Sequence, residues 1–225
     1  MSIARPELGP SLPELLGPRL RRGALLRRAL VVLAALVVLA AVALWWHRRP
    51  ASLEQAVVRG PLTFNTRYDD RIERVAAGPG ELLHLRTKPG PGRGPEDLVF
   101  RDGGAAPPRP EPAGGPVAQL ALRMAGVMRG ETAGLQGFQV RSQGRVKIGR
   151  DNAGWLVRYQ FRRDGKTWYG LRILLLPDLQ GTTERVLDMS LQSQSSKVVG
   201  NISEAGSNGP MRTPVYGVAF GTEAP

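Results

Sequence analysis

The residues from which this chain could build chemistry are few. It has two histidines, no cysteine, and a run of arginines around one Asp-Gly turn. His47 sits in the string Trp45-Trp46-His47-Arg48-Arg49, and His84 sits in the alternating string ELLHLRT, residues 81–87. Neither belongs to an H-E-x-x-H motif or to a sequence cluster of His and Asp, so no metal ligands are expected. There is no G-x-S-x-G elbow, and a serine triad would have to recruit His84 with nothing nearby pointing to it. An enzyme here would need a deep polar pocket around His84 with a carboxylate partner. The absence of cysteine removes thiol catalysis, thiolate metal sites and disulfides. Gly90-Pro91-Gly92-Arg93-Gly94 is glycine-rich, but it contains proline and leads into a loop, so it does not read as a phosphate cradle. Asp69, Asp70 and Glu73 could form a loose cation site. They read better as solvated turn residues, because calcium loops need six or more oxygens in a set geometry. No catalytic residue, no metal and no cofactor is expected.

What rises above this background is basic. Arg158, Arg162, Arg163, Lys166 and Arg172 cluster in sequence with Trp168 among them. If they share one sheet face, that face could meet an anionic partner: a phospholipid headgroup, a cell-wall polymer or an acidic protein surface. The bland alternative is an ordinary solvated face of a sheet. Arg145, Lys147 and Arg150 lie close by in sequence.

The elements that would hold these residues follow from periodicity. Trp155, Val157, Tyr159 and Phe161 alternate with Leu156, Arg158, Gln160 and Arg162, and the turn after them contains Asp164-Gly165. A two-residue turn would pair Val157 with Arg172 and mix charge into the apolar face. A three-residue loop, Arg163-Asp164-Gly165, pairs Tyr159 with Tyr169 and Val157 with Leu171, and keeps one face apolar. That register is expected, with Arg158, Arg162, Lys166, Trp168 and Arg172 on the opposite face. Further strands are expected over 62–68, 81–87, 97–101, 138–140, 145–148 and 185–193. The apolar spacing Val117, Leu120, Ala121, Met124, Val127 and Met128 predicts a helix over 116–129, entered at Pro116 and stopped at Gly130, with Arg123 and Arg129 facing away. A capped helical turn is expected at Ser52 to Ala56.

Ahead of all this lies Ala29 to Trp46, ALVVLAALVVLAAVALWW, without a charge, amide, hydroxyl or proline. As a helix it is roughly 27 Å long, close to the ~30 Å hydrocarbon core of a bilayer. Arg27 and Arg28 on one side, and Trp45, Trp46, Arg48 and Arg49 on the other, suit the two interfaces. The net charge is +12, and the first 50 residues contribute half of it, with eight arginines against two glutamates. The positive-inside rule puts the N-terminal flank in the cytoplasm and the rest outside. A signal peptide cut at Ala41-Val42-Ala43 is the alternative, and either reading exports the C-terminal part. The expected plan is a basic cytoplasmic tail (1–22), a single transmembrane helix (23–46), a tether (47–60) and an extracytoplasmic domain (61–196). A Pro/Gly-rich insertion (89–116) interrupts that domain, and a flexible tail (197–225) follows it, in which Val215 to Phe220 could add an edge strand.

The order of elements over 62–193 resembles the small α+β domain of the PsbP/DcrB type. The resemblance is carried by VKIGRDNAGWLVRYQFRRDGKTWYGLRILLLP and then RVLDMSLQS: a glycine-aromatic strand start, an Asp-Gly hairpin and a last alternating strand after one helix. The Pro/Gly-rich stretch and the missing early P-x-G-W depart from that pattern. The resemblance implies a non-enzymatic, exported accessory or binding domain, often anchored by lipid or helix, and carries no catalytic residues over. The fold class expected is therefore α+β: one transmembrane helix, then an antiparallel-sheet domain with one main amphipathic helix. The function expected is a single-pass, membrane-anchored binding or scaffold protein of the bacterial envelope. Its partners would be the membrane and a protein or anionic polymer, and not nucleic acid, on grounds of compartment. Two alternatives stand: a structural subunit of an envelope secretion or conjugation complex, whose cone-shaped domain would place helices before the sheet, and an enzyme centred on His84.

Overall fold

The computed structural model describes residues 30–42, 53–107, 115–149, 152–177 and 185–222. The chain divides into two compact units, Met1–Pro50 and Ala51–Pro225. In the first unit residues 30–42 form a helix, α1, with every described side chain exposed. Among the described residues no helix is long and apolar enough to cross a membrane. The rest of the expected span, and the interface residues Arg27, Arg28, Trp45, Trp46, Arg48 and Arg49, lie outside the described residues.

The second unit is α+β and built on two antiparallel sheets. β1 (Glu54–Val58), β2 (Phe64–Tyr68) and β10 (Ala219–Phe220) form a small sheet in the order β1-β2-β10. β3 (Ile72–Val75), β4 (Glu81–Thr87), β5 (Glu96–Ala105), β6 (Gln136–Ile148), β7 (Asn152–Arg163), β8 (Lys166–Leu175) and β9 (Arg185–Gln194) form a large one in the order β3-β4-β5-β9-β8-β7-β6. Helix α2 (Gly115–Thr132) covers one part of the large sheet, and the short α3 (Arg212–Tyr216) precedes β10.

Both faces of the large sheet are cores. Toward the small sheet, Leu83, Leu85, Leu98, Phe100, Leu171, Ile173, Met189 and Leu191 pack with Phe64 and Leu62, and the Phe64 and Phe100 rings stack 5.2 Å apart. Toward α2, Val157, Tyr159, Phe161 and Leu174 meet Leu120, Met124 and Met128. These last three repeat every four residues, one stripe of a helix, and each buried side chain contributes about 1.5–3 kcal/mol of transfer free energy. The helix passes Gly130 and ends two residues later. Leu135 N–H bonds Thr132 O at 3.1 Å, and Gly134 takes φ 95°. Arg123 does not face away: its guanidinium donates to Gly103 O (2.9 Å) and Ala105 O (2.8 Å), tying α2 to the end of β5.

The hairpin register differs from the expected one. Arg163 pairs with Lys166 across a two-residue turn, so Phe161 faces Trp168, Tyr159 faces Gly170 and Val157 faces Arg172. Asp164 (φ 52°) and Gly165 (φ 71°) are both left-handed, the backbone of a type I′ turn, whose twist matches that of the flanking strands. The objection to this register was a charge on the apolar face. Arg172 answers it, because it is buried and forked by Asp188 of β9. Since both faces of the hairpin are covered, no single face had to be apolar throughout.

Three other expectations give way. Glu54–Val58 is a strand rather than a helical turn or tether: Ala56 and Val58 point into the core while β1 pairs along all of β2. The Pro/Gly-rich region is not a simple insertion, because its Glu96–Ala105 is a central strand flanked by β4 and β9. Gly103 suits that strand: a Cβ there would lie 3.0 Å from Val186 O. Finally, residues 197–222 are not a flexible tail. Val199, Ala205, Met211, Val215 and Val218 are buried, β10 pairs with β2, and Thr66 Oγ1 donates to Pro214 O at 2.9 Å. The Gly- and Asn-rich composition there serves turns. Ser203 N–H bonds Asn201 Oδ1 at 3.0 Å, and Gly206 (φ 69°) leaves no room for a Cβ, which would stand 2.7 Å from Leu171 Cδ2.

Candidate ligand-binding cleft

A helix about 10–12 Å across covers two strands spaced ~4.8 Å apart. α2 packs on β7 and β8 and reaches Val186 at the start of β9 and the end of β5, so β4 and the stretches 97–101 of β5 and 188–192 of β9 are left without apolar helical cover on that face. The sequence writes that face largely polar at alternate positions: His84 and Arg86 on β4, Asp97 and Arg101 on either side of the apolar Val99 on β5, and Asp188, Ser190 and Gln192 on β9. The pairings Arg86↔Asp97↔Gln192, His84↔Val99↔Ser190 and Glu81↔Arg101↔Asp188 put them in three cross-strand rows. With Tyr159 and Arg163 of β7 and the end of α2 (Glu131, Thr132, then Leu135) all of them but Glu81 and Asp188 line a cleft of about 340 Å³.

Most of its charges are cross-paired. Asp97 Oδ1 accepts from Arg86 Nε at 2.7 Å and lies 2.9 Å from His84 Nε2. Glu81 accepts from Arg101 Nη2 at 3.2 Å through Oε1, and its Oε2 lies 3.5 Å from His84 Nδ1. Beneath the cleft Arg172 binds Asp188 through Nε at 2.9 Å and through Nη2, and pairs with Glu131 through Nη1. Arg163 is different. Its guanidinium carbon stands 4.9 Å from the Trp168 ring centroid and 5.2 Å from that of Phe161, and Nη2 donates to Gln192 Oε1 at 2.9 Å. Among the described residues it has no carboxylate partner.

Tyr159 ties the floor together. Burial pushes its hydroxyl above the ordinary tyrosine range, so it is a neutral polar group, set beside Gln192 and Ser190 of β9. Its ring reaches over β8 because the intervening residue is Gly170.

His84 thus lies in a polar cleft with a carboxylate partner, the arrangement an enzyme would have required. Its geometry is nevertheless unlike a catalytic base, since both ring nitrogens face carboxylates. Ser190 is two strands away across Val99, ~10 Å between backbones, beyond hydrogen-bond reach. Among the described residues no group of three or more His, Cys, Asp or Glu side chains is arranged to hold a metal ion. Asp69 makes a turn, accepting from Arg71 N–H at 2.9 Å, and Glu73 sits on β3.

The six residues expected on one basic face are divided. Arg158 lies on the small-sheet side and donates to Ser207 Oγ (3.3 Å) and Tyr216 OH (3.4 Å), so it holds the C-terminal segment. Arg162 is exposed on that same side, and Lys166 is exposed at the turn. Trp168, Arg163 and Arg172 lie on the α2 side, with Arg172 buried. Of the six, Arg163 alone lines the cleft. His84, Arg86, Asp97 and Gln192 were missed as a group. The signal for them was present: polar residues at alternate positions in β4 and β9 and at both sides of Val99 in β5, which register then aligns.

No family model matches this chain, and no curated protein matches it. Among solved structures it is similar to the cyanobacterial PsbP protein CyanoP from Synechocystis sp. PCC 6803, at 11% identity over 65% of this chain and 82% of that one, with a TM-score of 0.43. It is also similar to LpqN, a protein involved in cell envelope biogenesis of Mycobacterium tuberculosis, at 13% identity over 76% of this chain and 92% of that one, with a TM-score of 0.44. The PsbP-type resemblance read from residues 62–193 therefore recurs among solved structures as a weak one.

Proposed function

We propose that this protein is a single-pass, membrane-anchored binding domain of the bacterial envelope. The apolar stretch 29–46 tethers the unit at residues 51–225 outside the membrane, where the cleft receives a polar ligand. The observation that carries the binding reading is the half-covered sheet face: a cleft of about 340 Å³ whose side chains are fixed in advance by mutual ion pairs. Such fixing lowers the ordering cost of binding, and the volume falls in the range of small-molecule sites. The anchoring part is supported by the uncharged run, its arginine flanks and the interfacial tryptophans. Fractionation of cells expressing the full chain tests it. The protein should pellet with membranes, resist high salt and dissolve in detergent, and protease added to intact spheroplasts should digest residues 51–225. Recovery in the salt-soluble fraction would sink the anchoring.

The second reading, an enzyme centred on His84, is favoured by one observation, the His84–Asp97 contact at 2.9 Å. Against it stands the commitment of both imidazole nitrogens. On the binding reading His84→Gln keeps ligand affinity within a few-fold, because Arg86 still holds Asp97.

A further inference from the structure

Arg86 and Arg163 approach the cleft from opposite sides and end on neighbouring strands. Arg86 comes from β4 and binds Asp97 on β5. Arg163 comes from β7, passes over β8 and binds Gln192 on β9. Asp97 and Gln192 are direct partners in the β5–β9 ladder, so their Cα atoms are ~5 Å apart. The two guanidinium groups therefore converge over one cross-strand pair. Each uses only part of its five donors there. Asp97 pairs with Arg86, whereas Arg163 has no carboxylate partner among the described residues, so its charge is the one a ligand can meet.

Arg163 is also held ready. It rests on the rings of Trp168 and Phe161, and the Gln192 oxygen orients it. A guanidinium stacked on aromatic rings keeps its edge free to bind in its own plane, the geometry that suits a planar two-oxygen acceptor. The rest of the lining sets the hydroxyls of Ser190, Thr132 and Tyr159 among His84, the charged Arg101 and Glu131, and the apolar Val99 and Leu135.

We propose that the cleft binds a small hydroxylated monocarboxylate, of the sugar-acid class, whose carboxylate sits between Arg163 and Arg86 over Gln192. This rests on the reading of the cleft as a binding site. One negative charge is matched. A phosphate dianion would bring a second, set against Asp97, and a neutral sugar would leave Arg163 unmet.

The test is calorimetric titration of the full chain in detergent micelles with D-glucuronate, D-glucose and D-glucose 6-phosphate. D-glucuronate should bind, with affinity falling as salt is raised, D-glucose should give no saturable heat, and D-glucose 6-phosphate should bind more weakly than D-glucuronate. Arg163→Gln should weaken D-glucuronate binding about tenfold or more, the loss of one charge-assisted contact. Lys166→Gln on the same exposed turn should leave it unchanged. No saturable D-glucuronate heat, equal binding by Arg163→Gln, or tighter binding of the phosphate would each overturn the proposal. An envelope partner trapped by cross-linking in intact cells and lost on Arg86→Ala separates the two levels. With that partner present and D-glucuronate silent, the ligand class falls while the binding reading stands; with both silent, both fall.

Discussion

The ring of Tyr159 lies flat across Gly170. A Cβ built on that glycine would stand 2.1 Å from the ring's Cζ, and the ring itself is buried under α2. The absence of a side chain at 170 lets an aromatic residue on β7 cross β8 and place its hydroxyl beside Ser190 and Gln192 on β9.

Gly170→Ala should therefore destabilise the domain by at least about 1–3 kcal/mol, the overpacking cost of a core with no slack. Tyr159→Phe keeps the ring and should cost only about 1 kcal/mol for the lost hydroxyl. Urea midpoints of the two variants check the order; an alanine tolerated at 170 would contradict the packing.

Arg172 and Asp188 form a second cross-strand pair, with side chains only 3% and 8% exposed. Removing Arg172 leaves Asp188 buried and uncompensated, and removing Asp188 leaves the buried Arg172 with Glu131 alone. Arg172→Met or Asp188→Asn alone should cost about 3–5 kcal/mol, while the double variant should cost less than the sum of the two. Equal, additive losses in a double-mutant cycle would show that the two do not act as a pair.

Glu96 is buried on the small-sheet side of β5, where Ser193 Oγ donates to Oε1 at 2.8 Å. Burial pushes its carboxyl above the ordinary value of 4.5, with the Ser193 bond and the Arg93 charge opposing. A carboxyl raised on folding holds its proton more tightly in the native state. Its contribution is thus complete below pH 4.5 and is lost as pH rises through the folded value. Glu96→Gln should match wild type in acid and exceed it in stability near neutral pH. Denaturation curves at acid and neutral pH for both proteins decide it; a constant difference between them would rule out the titration.

Ending the chain after Lys197 should abolish cooperative unfolding, because Met211, Val215 and Val218 leave the main core and β2 loses a neighbour. A flexible appendage would leave the melting curve unchanged. Calorimetry of the truncated and full chains distinguishes the two.

Where one physical rule acted alone, the sequence could be read. The alternation over 81–87 predicted β4 to the residue, and the helical spacing of Val117, Leu120, Ala121, Met124, Val127 and Met128 predicted α2, which begins one residue earlier and ends three later than expected. Reading failed where a second layer supplied the missing partner. The Asp-Gly register looked wrong only because Asp188, which neutralises Arg172, comes from another strand 16 residues away. Residues 197–222 looked too polar to fold because their few apolar side chains are spent on a core made elsewhere. The cleft was illegible for the same reason: its rows exist only once β4, β5 and β9 are neighbours, and β5 was expected to be a fragment inside a loop.

The small sheet closes the chain on itself. Asn65 Nδ2 donates to Gly221 O at 3.0 Å, a contact between residues 156 positions apart. Pairing of this range forms slowly, because a long loop must close before anything rewards it. Until the last strand emerges from the ribosome, β2 lacks one edge and the core lacks its cover. Under the exported topology proposed above, that delay suits passage across a membrane as an extended thread, because the small sheet locks only after Ala219–Phe220 have followed.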